Sequence, residues 1–310
     1  MEKYDLNIFV GTQPEQMLAT KLLEYSIKKH TKLKVNVQAL YKAVELKGIK
    51  IPTPKDKINY PRTPFSFQRF AIPALSNYQG RSLYVDSDML VFSDIKELFE
   101  MPFNNAEILC AQGVDGSRRP QFSVMILDCD ALKWNVIDII DGLDKKLYDY
   151  SGLMYEMKAA KKINQSLSKY WNDLEGYTKG KTRLTHFTDM HRQPWLSVVN
   201  PLAPIWVTEL ANSINDGFIT LEELEENINL GFVRPSLRFQ IINKKYGNKD
   251  VTFKLKLIDH LYFVKPHEFK NNFKKVTQYG VKPNLVGKIN RFVYSSLQNT
   301  LLYFSKILKA

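Results

Sequence analysis

The sequence predicts an α/β core that opens with a parallel strand-helix-strand unit, and three observations carry that reading. Leu6 to Val10 (LNIFV) is a short apolar run ending at Gly11, followed by Pro14, a helical pattern to His30, and a second apolar run at Lys34 to Leu40. Strand, helix, strand at this spacing marks a parallel α/β unit. Ser82 to Val85 (SLYV) reads as a buried strand that stops at two carboxylates. Finally, 310 residues with 44% hydrophobic and 25% charged content can bury a core, which excludes wholesale disorder.

The elements follow in order. Leu18, Leu22, Tyr25 and Ile27 give the first helix a buried stripe. Residues 48–64 hold Pro52, Pro54, Pro61 and Pro64 and read as a long irregular loop, of the kind that carries function more often than padding. A helix is expected over Phe65 to Leu75, strands at Glu107 to Ala111 and Ser123 to Leu127, a mostly helical stretch over Ile137 to Met157, and a last strand at Thr182 to Phe187. Residues 205–235 predict a helix, a turn at Asp216-Gly217 and an acidic helix around LEELEEN. Trp134, Trp171 and Trp206 are expected to pack in the core, and Glu24 with Lys28 to form an ordinary helix pair.

The net charge of +12 is unevenly spread. Residues 265–310 contain nine Lys and Arg against the single acid Glu268, a net +8 that leaves +4 for the rest. Lysines there alternate with aromatics, and Phe292, Val293, Leu297, Leu301, Phe304 and Leu308 recur at helical intervals. A basic amphipathic tail suits an anionic membrane surface, or packs on the body or another subunit. Nucleic acid is not expected, because no recognition module accompanies the charge. No run of eighteen apolar residues is present, the start Met1-Glu2-Lys3-Tyr4-Asp5 lacks a signal-peptide pattern, and Cys110 and Cys129 cannot make a disulfide framework. The expected location is cytoplasmic, with the tail offering peripheral attachment to the cytoplasmic face of a membrane.

Asp86-Ser87-Asp88 is the most informative motif. Ligand crevices of open α/β sheets lie at the carboxyl ends of strands, where this run falls. Alternate residues of an extended chain point to one side, so both carboxylates can face one cation, which relieves their repulsion. A solvated turn bearing two acids is the bland alternative. Asp-x-Asp after a strand also occurs in haloacid-dehalogenase-like phosphatases, but there a Gly-Thr pair follows; here Met89-Leu90 does. His186, at a strand end, would make a mixed nitrogen and oxygen site suited to Mn²⁺. Arg192 could hold a phosphate by parallel hydrogen bonds.

Taken in order, the Leu6–Gly11 strand and turn, Gln68-Arg69-Phe70-Ala71-Ile72-Pro73-Ala74-Leu75, Leu83-Tyr84-Val85-Asp86-Ser87-Asp88-Met89-Leu90-Val91, Val124-Met125-Ile126-Leu127-Asp128 with Trp134, and His186-Phe187 with Gln193-Pro194-Trp195 resemble the family 8 glycosyltransferases. The resemblance covers residues 5–196. It implies a GT-A fold, a Rossmann-like mixed sheet flanked by helices, with a mainly helical basic C-terminal extension. The implied domains are 1–204 for nucleotide-sugar binding and catalysis, 205–264 packing on it, and the tail 265–310. The implied activity is retaining transfer of a hexose from a nucleotide-sugar, usually a UDP-sugar, to a glycan, glycolipid or protein hydroxyl, with Mn²⁺ and with Mg²⁺ as the alternative.

Carried over by position, Asp86, Asp88 and His186 would be the metal ligands. Gly11, Thr12 and Gln13 would meet the base, Ser87 would touch the ribose through its backbone, and Arg69 and Arg192 would face the diphosphate or sugar. The chain also departs from the family pattern. Thr12-Gln13 replaces an acid-bearing turn, Gln121-Phe122-Ser123 replaces Asn-x-Gly, and Asp189 replaces a glycine. Tyr155-Glu156 stands in for an Asp-Gln pair, which makes Glu156 and Gln121 the candidate catalytic residues. A catalytically silent relative that binds sugar-nucleotide or glycan, and a basic membrane- or nucleic-acid-binding protein, are the alternative readings.

Overall fold

A computed structural model describes residues 4–112 and 121–267. Its strands are β1 (Leu6–Gly11), β2 (Val35–Ala39), β3 (Arg81–Asp86), β4 (Met89–Val91), β5 (Ile108–Ala111), β6 (Gln121–Asp128), β7 (Ile163–Leu167), β8 (Asp173–Leu174) and β9 (Leu184–His186). Its helices are α1 (Met17–His30), α2 (Leu40–Leu46), α3 (Ile72–Leu75), α4 (Lys96–Phe99), α5 (Val136–Asp144), α6 (Tyr150–Tyr155), α7 (Ala203–Asn215), α8 (Leu221–Asn229), α9 (Ser236–Ile242) and α10 (Phe253–Tyr262). The chain divides into two compact units between Thr188 and Asp189.

In the first unit a six-stranded sheet has the order β2-β1-β3-β6-β5-β7. β1 runs parallel to β2 and β3, β7 runs parallel to β5, and β6 lies antiparallel between β3 and β5. The chain passes from β1 outward to β2, then back across β1 to β3. The order therefore reverses at β1 and β3, and a ligand crevice forms outside the carboxyl ends of such a pair. Those ends are Gly11 and Asp86, which are register partners.

Period-two alternation sorts the strand side chains into two cores. Phe9, Tyr84, Ile108, Cys110, Met125 and Leu127 enter one; Ile8, Val10, Leu83, Val85, Leu109, Val124 and Ile126 enter the other. Both faces are buried, which is why these strands read as continuous apolar runs. Leu18, Leu22, Tyr25 and Ile27 of α1 are all buried, as the helical spacing predicts. Lys28, Lys29 and His30 close that helix with favourable charge at its carbonyl end. Trp134 packs edge-on to Phe70, with ring centroids 5.1 Å apart, and its indole N–H donates to the Ala159 carbonyl at 2.8 Å.

Some boundaries differ from the sequence expectation. The stretch at 65–75 is a short 3-10 segment (Gln68–Ala71) leading into the single turn α3, whose second residue is Pro73. The helix expected over 137–157 is two helices, α5 and α6, separated where Lys146 takes a φ of 59°. Apolar residues on both sides of that break conceal it. β7 and β8 carry no strand signal in the sequence, because INQSL and DL lack a long apolar alternation.

β4 leaves the main sheet and forms a three-stranded one with β9 and β8. Ser26 of α1 stitches β4 in place, its hydroxyl accepting from the Val91 N–H at 3.1 Å. Within the second unit, Trp195 and Trp206 pack at 5.4 Å, and Thr220 and Glu223 form a capping box on α8. No helix among the described residues is long and apolar enough to cross a membrane. Apart from residues 265–267, the tail reading lies outside the described residues.

Candidate functional site

β3 ends on Asp86; two residues later Asp88 precedes β4, and β4 pairs antiparallel with β9, setting Met89 opposite His186. The Phe187 N–H donates to the Asp88 carbonyl at 2.8 Å, which fixes the turn against the end of β9. Two sheets thus meet at the switch point, each delivering ligands. Asp86, Asp88 and His186 each offer one ligand atom, and these atoms all lie within 4.8 Å of one another. Two carboxylates and an imidazole form a donor set that fits a borderline or hard divalent cation.

The surroundings of each ligand are polar and ordered. The Tyr84 hydroxyl donates to Asp86 Oδ1 at 2.6 Å, and the Arg69 guanidinium lies over the Tyr84 ring, 4.5 Å from its centroid. Arg69 Nη1 donates to the Phe122 carbonyl at 3.1 Å, while its buried Nε and the buried Gln68 Oε1 carry no hydrogen bond. Burial pushes the Asp86 carboxyl up and the Asp88 charge adds to this; Arg69, His186 and the Tyr84 hydroxyl pull back without cancelling it. Burial alone pulls the His186 imidazole down. The Asp88 charge and contact, with Asp86 and Glu175, outweigh that and leave it raised.

His186 Nε2 lies 3.1 Å from Asp88 Oδ1, and Nδ1 lies 2.9 Å from Asn172 Oδ1. Asn172 in turn donates from Nδ2 to Ser123 Oγ at 2.9 Å. A bare Nε2 facing a carboxylate oxygen places two lone pairs together, an arrangement that a shared proton or a cation relieves.

The other sequence-predicted residues fall in distinct places. Gly11 is buried, and its carbonyl accepts from the Ser87 N–H at 3.1 Å. A side chain at Gly11 would collide with the Tyr84 hydroxyl, so the glycine is explained by an internal neighbour. Ser87 is buried and its hydroxyl donates to Gln16 Oε1 at 3.1 Å. Its N–H is already engaged by Gly11, leaving only its carbonyl for a ligand. Thr12 is buried against Thr20, their hydroxyls 2.8 Å apart, and Gln13 leads into the 3-10 turn Pro14–Gln16. Gln121 opens β6 with its backbone paired to Ala111. Glu156 is exposed at the end of α6 and pairs with Lys158 at 3.2 Å; it is not brought into the ligand cluster. Arg192 belongs to the second unit, where it is exposed and its Nη2 donates to the Val199 carbonyl at 3.2 Å.

No protein-family model matches the chain. Over 112 residues it is 35% identical to Protein CDI of Arabidopsis thaliana, a match covering 36% of this chain and 42% of that protein, so it spans well under two thirds of that relative. The apo structure of the bifunctional glycosyltransferase WbbM superposes with a TM-score of 0.50 at 13% identity, over 68% of this chain and 50% of that one. This chain has a glycosyltransferase fold. The helix-flanked mixed sheet is the GT-A-like architecture expected from the sequence. A looser likeness, TM-score 0.48 at 16% identity, is to the glycosyltransferase GlyE of Streptococcus pneumoniae TIGR4, covering 70% of this chain and 64% of that one.

Sequence reasoning missed Tyr84 as the partner of Asp86, and Asn172 and Ser123 behind His186. Tyr84 could have been found, since it shares strand parity with Asp86. Asn172 carries no such signal, being placed by the two-residue pairing of β8 with β9 that directly follows it.

Proposed function

We propose that this protein is a metal-dependent retaining glycosyltransferase that moves a hexose from a UDP-sugar to a hydroxyl of a glycan, glycolipid or protein. The observation that carries this is the convergence of Asp86, Asp88 and His186 at the switch point of a glycosyltransferase fold. These three would hold Mn²⁺, or Mg²⁺. When bound, the metal supplies Lewis-acid stabilisation of the charge that builds on the departing diphosphate.

The chain's own residues prepare that site. Tyr84 and Arg69 hold Asp86 in orientation, and the Arg69 charge favours an anionic donor beside it. Arg192 is assigned to the same diphosphate from sequence position. In the reaction the bond from the anomeric carbon to the diphosphate oxygen breaks and a bond to the acceptor oxygen forms on the same face. The acceptor proton passes to a diphosphate oxygen, so no strong protein base is demanded. Gln121 and Glu156 remain the assigned residues near the reacting carbon.

One observation favours a silent sugar-nucleotide-binding relative instead: Glu156 is at the surface, paired with Lys158. A thermal-shift screen of nucleotide-sugars with Mn²⁺, followed by turnover assays, separates the two. Stabilisation with turnover that Asp88→Ala abolishes, in a variant that still folds, supports the transferase. Tight binding without turnover on any donor supports the silent relative, and no stabilisation by metal or UDP defeats both. The tail at 265–310 is assigned to an anionic membrane surface on the cytoplasmic side. Loss of co-sedimentation with anionic vesicles after truncation at Lys265 supports this, and unchanged sedimentation refutes it.

A further inference from the structure

We propose that Asn172 is a positioning residue that sets the His186 imidazole so that Nε2, and not Nδ1, is the metal-facing nitrogen. This rests on the metal reading of Asp86, Asp88 and His186 given above. Both ring nitrogens of a histidine can bind a cation, and the hydrogen bond made by one selects the other. Here Nε2 is turned toward Asp88 Oδ1 and Nδ1 toward Asn172 Oδ1. A carboxamide oxygen accepts from an Nδ1–H, which leaves the Nε2 lone pair for the cation.

Asn172 is itself held. It is buried at 4% exposure, and its Nδ2 donates to Ser123 Oγ at 2.9 Å on β6, which directs the carboxamide oxygen at His186. Its backbone closes the 3-10 segment Lys169–Asn172 and leads directly into β8, which pairs parallel with β9 in the register Asp173 to Thr185 and Leu174 to His186. Trp171, buried among Leu167 and Leu184, anchors the same segment. The chain Ser123, Asn172, His186 therefore ties the main sheet to the small one through the candidate ligand. It also gives Ser123 a use of its own.

The test is the Mn²⁺ affinity of the full chain by calorimetry, read beside the metal-free melting temperature. Asn172→Leu removes the acceptor and is expected to weaken Mn²⁺ binding by about 10- to 100-fold. Asn172→Asp keeps an acceptor for Nδ1–H and is expected to hold affinity within a few-fold of wild type. A purely packing role would make the loss of affinity follow a lowered metal-free melting temperature, whereas the positioning role weakens Mn²⁺ binding without one. Ser123→Ala, which leaves the fold least disturbed, is expected to weaken binding several-fold at an unchanged melting temperature. If Asn172→Leu does not fold, the Ser123→Ala and Asn172→Asp pair decides. Unchanged affinity in Asn172→Leu or Ser123→Ala, or an Asn172→Asp loss as large as that of Asn172→Leu, overturns the positioning role. A wild type that holds no Mn²⁺ defeats the metal reading itself, and the positioning role falls with it.

Discussion

Substituting Gly11 by alanine is the sharpest probe of how the site is built. The backbone there needs no positive φ, so any penalty is steric. An added Cβ would collide with the Tyr84 hydroxyl and lie 2.9 Å from Tyr84 Cζ and 3.0 Å from Phe65 Cδ2. Carbon atoms rest at about 3.5–4.0 Å, so the ring must retreat by about 0.5–1 Å. Tyr84 is wholly buried, on the central strand β3, with Arg69 across its face. Retreat costs about 1–3 kcal/mol in overpacking and strains a charge-assisted hydrogen bond worth about 1.5–3 kcal/mol. A net loss of about 2–4 kcal/mol lowers the melting temperature by about 3–6 °C in a chain of this size. The assay is thermal unfolding followed by circular dichroism, run as a cycle with Tyr84→Phe. Removing the hydroxyl deletes the colliding atom, so Gly11→Ala is expected to cost at least about 1 kcal/mol less in the Tyr84→Phe background. Equal costs in both backgrounds would refute the claim that Tyr84 is what keeps residue 11 a glycine.

Further outcomes follow from the same physical reasoning. Burial pushes the Cys110 thiol up to about 12, and Cys129 is likewise buried and raised. Native protein at mildly alkaline pH is expected to leave a thiol reagent unreacted until denaturant is added; stoichiometric labelling without denaturant would contradict this. Thr220→Ala removes half of the capping box on α8 and should cost about 1 kcal/mol in chemical denaturation, whereas no change would show that this helix end is held otherwise. Arg234, fully buried, donates from Nε to the Pro194 carbonyl at 3.0 Å and from Nη2 to Gln240 Oε1 at 2.6 Å, and its hydroxyl partner Ser236 bonds Asp259. Arg234→Lys keeps the charge and loses the fork, with an expected cost of about 3 kcal/mol or more in the same assay; retention of wild-type stability would contradict it.

How far the site could be read from the chain depended on whether its parts were local. Asp86, Asp88 and the strand before them are contiguous, and β1 with α1 is a self-contained pattern, so both were legible in sequence. His186 could be paired with them only through the resemblance, since β4 and β9 are three residues each and lie almost a hundred residues apart. Asn172 and Ser123 were invisible for the same reason: their meeting depends on β8 joining the small sheet. Gly11 is legible as a small residue at the end of a strand, but the Tyr84 hydroxyl that its missing side chain makes room for lies on another strand and is not. The Phe65–Leu75 and Ile137–Met157 stretches misled because apolar periodicity continued through Pro73 and through the turn at Lys146, where backbone geometry decided the matter.

The central claim is that Asp86, Asp88 and His186 form one metal centre serving a nucleotide-sugar. Titration of Mn²⁺ into the full chain in the presence of UDP tests it most directly. One Mn²⁺ per chain is expected, with binding lost in Asp88→Ala while the variant keeps its wild-type circular dichroism. A wild type that takes up no Mn²⁺, or an Asp88→Ala variant that binds it equally well, would rule out a metal centre at these three residues.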